Sequence, residues 1–198
     1  MTFPRPDAEF NIVFVCSGNT CRSPLAVAAW RAFASRILAS PAPLAAATLP
    51  TSTVASAGLN AVDGEPASPA TIEIARDWGI DLSDHRARRL TPETARAADL
   101  ICTMTMSQAE AVRAYFDLRP DSVHPLGALA PVDDSSLQGR LSYLWGNHPP
   151  ENFKSPGATA ETDILDPYGG SIEAYQTCAE QIRRGVLGLA RALRAGEK

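Results

Sequence analysis

Cys16 and Arg22 frame the run Cys16-Ser17-Gly18-Asn19-Thr20-Cys21-Arg22-Ser23. A thiolate is a strong nucleophile, and a guanidinium makes paired hydrogen bonds to an oxyanion that a lysine ammonium cannot reproduce. Together they suit attack on a phosphoryl group. Sulfur bonds to phosphorus, arginine holds the equatorial oxygens, and a third group protonates what leaves. Gly18 and Asn19 tolerate left-handed backbone, which would turn loop N–H groups inward. The Ser23 hydroxyl is placed to donate to the Cys16 sulfur. An isolated Cys-x5-Arg pair is weak evidence, because a cysteine ending an apolar strand is usually a buried small residue. The surrounding elements decide between the two readings.

Residues 10–15 are short, β-branched and aromatic, and end in a Ser-Gly-Asn turn, so they read as a buried strand. Pro24 suits a first helical turn, with Ser23 as its cap. Leu25, Ala29, Phe33 and Ile37 then recur on one helical face. Strand, glycine-bearing loop and helix N-terminus form an anion-binding frame, since unpaired N–H groups and the helix dipole converge there and favour a Cys16 thiolate. Further along, residues 39–52 read as an uncharged linker and residues 54–57 as a second strand ended by Gly58. A helix over 68–78 ends at Gly79, and a short one starts near Thr91. Residues 99–104 read as a third strand, 107–116 as a helix and 123–126 as a weaker strand. Residues 127–162 are polar, irregular and long for a connection. In the final segment Ile172, Tyr175, Ala179, Ile182, Val186, Leu189 and Leu193 make one apolar stripe, read as core packing. Strands alternating with helices predict an α/β fold, a parallel sheet with helices on both faces.

The 198 residues suffice for one core, so residues 1–198 are expected to form a single domain with insertions at 39–52 and 127–162. A net charge of −4 carries no basic footprint, which argues against a nucleic-acid partner. No apolar run reaches membrane-span length, and the N-terminal residues do not resemble a secretory signal. Four cysteines make no disulfide scaffold, and no Cys-x-x-Cys pair occurs. With the three histidines scattered, a metal site is not expected. A reducing cytoplasm is the expected compartment, and oligomeric state is not readable.

The first loop, Ser56-Ala57-Gly58, Gly79-Ile80-Asp81-Leu82-Ser83-Asp84-His85 and Asp166-Pro167-Tyr168-Gly169-Gly170-Ser171 occur in the order of the low-molecular-weight protein phosphatases, and the chain resembles that family. The resemblance implies a four-stranded parallel sheet of Rossmann-like type, no cofactor, and a cysteinyl-phosphate intermediate on a phosphorylated protein substrate. By position it implies Cys16 as nucleophile, Arg22 as phosphate ligand and Asp166 as general acid. Ser17, Gly18, Asn19, Thr20, Cys21, Ser23 and Tyr168 would line or bind substrate, while Asn19 and Ser56 would hold the loop in shape. By composition alone Asp166-Pro167 is a turn opener. Its apolar neighbours Ile164, Leu165, Pro167 and Tyr168 are expected to favour a protonated carboxyl. Cys21 either packs beneath the loop or, as the resemblance favours, traps oxidised Cys16 as a disulfide. His85 with Arg86, Arg88 and Arg89 reads as a solvated turn rather than a substrate patch, and Cys102 and Cys178 as structural.

Thr20 bears on the substrate. Tyrosine-specific members usually carry an aliphatic residue at this position, and threonine resembles the protein-arginine phosphatases. Gly169, directly after Tyr168, points the same way. The expectation is phosphoarginine ahead of phosphotyrosine, although Tyr168 could stack on a phosphotyrosine ring. Arsenate reductases share the first loop, but they need two further cysteines close together after the third strand. Only Cys102 stands there.

Overall fold

The computed structural model describes residues 10–34, 52–130 and 162–195. Its sheet consists of β1 (Phe10–Cys16), β2 (Ser52–Gly58), β3 (Leu100–Thr103) and β4 (Val123–Pro125), all parallel, in the order β2-β1-β3-β4. The helices are α1 (Arg22–Ala29), α2 (Pro69–Asp77), α3 (Pro92–Ala97), α4 (Met106–Phe116) and α5 (Ile172–Ala195). A π-helical turn, Trp30–Ala34, continues α1. Three of the helices carry side-chain caps. Ser68 accepts from Thr71 N, Thr91 from Thr94 N and Thr105 from Gln108 N, each contributing about 1 kcal/mol.

Alternation along β1 divides the interior. Ile12, Phe14 and Cys16 face a core built with α1, α2 and α5, whereas Val13 and Val15 face a second core built with α3 and α4. A strand covered on both faces must be apolar throughout, which is why this segment reads as one unbroken hydrophobic run. Each of these buried side chains contributes about 1.5–3 kcal/mol. The α5 stripe packs as expected from Tyr175 to Leu193, with only Ile172 left partly exposed at the start. Gly79 ends α2 in left-handed backbone, φ 78°.

Two local expectations change. Helix α1 begins at Arg22 with Cys21 as its uncapped N-terminal residue, because the Ser23 hydroxyl is engaged in the loop instead. Of the two left-handed candidates, Asn19 takes that conformation at φ 56° and Gly18 does not. Ile37 and residues 39–51 of the expected linker lie outside the described residues. So do residues 131–161 of the second long connection, with Tyr143 and Trp145, while Leu126–Leu129 at its start form a 3-10 turn. No helix among the described residues is long and apolar enough to cross a membrane.

Candidate active site

The C-terminal end of β1 delivers Cys16 into the loop, and its neighbours fix the loop from outside. Leu59 N donates to Cys16 O, Asn60 N to Ser17 O and Ser68 N to Thr20 O, each at 2.9 Å. His85 Nε2–H donates to Asn19 O at 2.7 Å, since a carbonyl only accepts. With its carbonyls engaged outward, the loop keeps its amides for the inside. Among the described residues the N–H groups of Gly18, Thr20 and Cys21 reach no protein acceptor. Gly58 makes this approach possible, because a Cβ there would sit 2.6 Å from Ser17 O and 2.9 Å from Asn19 N.

Behind the loop Asn19 is fully buried and bonded through both ends of its side-chain amide. Its Nδ2 donates to Ser23 Oγ at 2.8 Å and its Oδ1 accepts from Arg88 N at 2.9 Å. The Cys16 sulfur accepts from Asn19 N at 3.2 Å and lies 3.1 Å from Ser23 Oγ. Ser23 has one proton and two acceptors for it, the sulfur and the Ala57 carbonyl at 3.2 Å.

Arg22 is 4% exposed and returns across the loop. Its Nη1 donates to Ile164 O at 3.1 Å, and its Nη2 to Ser17 Oγ at 3.4 Å and to the Asp166 carboxylate. Its Nε–H is buried and has no partner among the described residues, a donor left for an external oxygen. The segment bearing Asp166 is strapped to the end of β3, with Ile164 N donating to Met104 O and Met106 N to Asp163 Oδ1. Asp166 also opens the turn expected of Asp-Pro, its Oδ1 accepting from Tyr168 N at 3.2 Å. The expected apolar setting is not built. Leu165 and Tyr168 are 72% and 76% exposed, and Asp166, 47% exposed, lies against Arg22.

These groups surround a cleft of about 220 Å³ lined by Cys16, Ser17, Gly18, Thr20, Cys21, Arg22, Asp166 and Tyr168, with Glu65 added. Asn19 and Ser23 act from behind it. Ser56 does not join the loop network: in β2 it pairs with Phe14, and its hydroxyl makes no hydrogen bond among the described residues. His85 is not the solvated turn residue read from its basic neighbours but is half-buried on Asn19, and burial lowers its pKa. Gln108 donates to Ser17 Oγ at 3.1 Å and accepts from Met104 N, and Tyr175 places its hydroxyl 3.4 Å from Cys21 Sγ. Burial pushes the Tyr175 phenol up to about 12 and the Cys178 thiol up to about 12, and raises Cys102 as well. Neither Gln108 nor Tyr175 carries a local signal, since one sits in an ordinary helix and the other in an apolar stripe. Glu65 follows Gly64 in an exposed turn that has no motif of its own.

A cleft that offers a thiol, inward amides, a buried guanidinium and a carboxylate to one small anion is a site for phosphoryl chemistry. Residues 11–132, more than half of the chain, match the model of the family described as low molecular weight phosphotyrosine protein phosphatase. The chain is 32% identical to a probable low molecular weight protein-tyrosine-phosphatase, EpsP, of Ralstonia nicotianae, over 88% of this chain and 90% of that one. It is 29% identical to a protein-arginine-phosphatase of Bacillus subtilis, over 93% and 97%. Among solved structures it is similar to a YwlE mutant from Bacillus subtilis, with TM-score 0.67 and 28% identity, over 93% of this chain and 99% of that one. A second such structure, at the same TM-score and identity over 93% and 96%, is the YwlE arginine phosphatase as a cysteine-to-serine mutant with a phosphorylated active-site serine.

Proposed function

This chain belongs to the low molecular weight protein phosphatase family, and we propose that it hydrolyses phosphoarginine in proteins through a phosphocysteine at Cys16. The observation that carries the reaction is the convergence of Cys16, Arg22 and Asp166 on one cleft. A substrate dianion enters among the free amides of Gly18, Thr20 and Cys21 and takes up the unpartnered Arg22 Nε–H. In competing for Arg22 it frees the Asp166 carboxylate, which takes a proton from solvent and then faces the leaving group. Cys16 sulfur attacks phosphorus, the bond from phosphorus to the leaving nitrogen breaks, and Asp166 gives that nitrogen a proton. Asp166, now a carboxylate, takes a proton from water while the water oxygen attacks phosphorus. The S–P bond breaks, and phosphate and the Cys16 thiolate result.

Substrate choice rests on Thr20, which places a short polar side chain in the cleft wall where an aliphatic one would grip an aryl ring. The phosphotyrosine reading has its own support in Tyr168, exposed on the same wall and free to stack on an aromatic ring. Comparing kcat/KM on phosphoarginine and phosphotyrosine peptides for the wild type and Thr20→Ile separates them. Preference for phosphoarginine in the wild type, shifted toward phosphotyrosine in the variant, is the expected result. A wild type inert on phosphoarginine refutes the substrate assignment. For the mechanism, Cys16→Ser should lose hydrolysis and retain phosphate binding, and full activity in that variant would rule it out.

A further inference from the structure

Two acids line the cleft, and Glu65 is the one that the catalytic cycle does not use. It projects from the connection between β2 and α2, and its backbone is held firmly. Gly64 N donates to Ala87 O at 2.9 Å, and Ala87 N donates back to Glu65 O at 2.7 Å. Gly64 adopts φ 90° to make the turn, and Asp63 Oδ1 accepts from Arg89 N at 2.7 Å. The same stretch supplies His85 and Arg88 N to Asn19, so one segment braces both the phosphate loop and the acid beside it.

Asp166, the other acid of the cleft, is neutralised by Arg22, whereas Glu65 makes no ion pair among the described residues. An unpaired carboxylate at the mouth of a dianion site repels every phosphate monoester that approaches it. It becomes favourable only when the substrate brings a positive charge on its leaving group. Resting on the phosphatase reading, we propose that Glu65 is a specificity-determining residue that selects substrates with a cation on the leaving group. The guanidinium of phosphoarginine belongs to that class, and an unsubstituted aryl phosphate does not.

The test uses two matched aryl phosphates, 4-(2-aminoethyl)phenyl phosphate and 4-ethylphenyl phosphate, which differ in one positive charge and contain no P–N bond. The wild type should favour the cationic one in kcat/KM by roughly three-fold, the scale of one exposed ion pair. Glu65→Gln should bring the ratio near unity, and Glu65→Lys should invert it. Raising the salt from about 50 mM to about 500 mM should erase the wild-type preference and leave the Glu65→Gln ratio where it was. An unchanged ratio in both variants overturns the proposal, and Glu65 is then a solvated rim charge. Because these substrates are esters, the ratio can move as expected in an enzyme inert on phosphoarginine. That outcome supports the role of Glu65 and refutes the phosphoarginine assignment alone.

Discussion

Arg22 and Asp166, 144 positions apart in the chain, join side chain to side chain over the cleft. The partners are unequal, since the arginine is buried and anchored on Ile164 O while the carboxylate stands half in solvent. In the proposed mechanism an incoming dianion therefore displaces the carboxylate and not the guanidinium. Asp166→Asn removes the proposed general acid, so kcat on substrates with poor leaving groups should fall about 10²–10⁴-fold. Inhibition by inorganic phosphate should tighten at the same time, because no carboxylate then competes for Arg22. Steady-state kinetics with a phosphate inhibition constant measure both effects. Unchanged kcat would remove Asp166 from the mechanism.

Gly58 stands where β2 runs against the back of the phosphate loop, and its own N–H and C=O bond to Arg88 O and Leu90 N. Gly58→Ala must push a methyl into Ser17 O and Asn19 N, both backbone atoms that cannot step aside. The expected cost is about 1–3 kcal/mol in stability, measured by denaturant unfolding. Loss of phosphate affinity should accompany it, since the loop amides shift with Ser17 and Asn19. Wild-type phosphate binding in this variant would show that the loop does not depend on the close approach.

How far the sequence could be read follows from where each signal lies. Residues 10–23 carry strand, loop and helix start in one local stretch, so the frame of Cys16 and Arg22 is legible without tertiary information. The α5 stripe and the starts of α2 near Ser68 and α3 near Thr91 are legible for the same reason. Asp166 is recognisable only by motif, because its pairing with Arg22 is made by folding. Ser23 misleads as a cap since its hydroxyl serves a tertiary network with Asn19 and Cys16. Ser56 sits where a family resemblance expects a loop support, but here Asn19, Ser23, His85 and Arg88 carry that role. Gln108 and Glu65 reach the site across the fold from a helix and a turn that reveal nothing locally.

Two histidines contribute to the acid limb of stability. His124, buried in β4, and His85, half-buried on Asn19, both have pKa values lowered from the usual 6.5, with burial the first cause. As pH falls below 6.5 the unfolded chain binds protons at these rings and the folded chain does not, so unfolding is favoured. Above 6.5 both states hold neutral rings and the contribution is constant. The thermal midpoint should therefore drop between about pH 6.5 and about pH 5.5, and His124→Gln should flatten that slope. A wild-type midpoint that holds steady across this window would contradict the burial of both rings.

Under oxidation, Cys21 is expected to give the proposed nucleophile a protected state. Its sulfur lies 3.4 Å from Tyr175 OH, 3.5 Å from Ser68 Oγ and 3.6 Å from Thr20 Oγ1, and Cys21 and Cys16 line the same small cleft as free thiols. Peroxide oxidises the Cys16 thiolate to a sulfenic acid and is itself reduced to water. The Cys21 thiol then attacks that sulfur, a disulfide forms, and a second water leaves with the sulfenic oxygen. Brief peroxide treatment should therefore inactivate the wild type in a way that a dithiol reductant reverses. In Cys21→Ser the sulfenic acid has no neighbouring thiol, so continued exposure should carry Cys16 to the sulfinic acid and the loss should become permanent. Activity recovery together with intact-protein mass measures both arms, and equal recovery in the two proteins would show that Cys21 only packs beneath the loop.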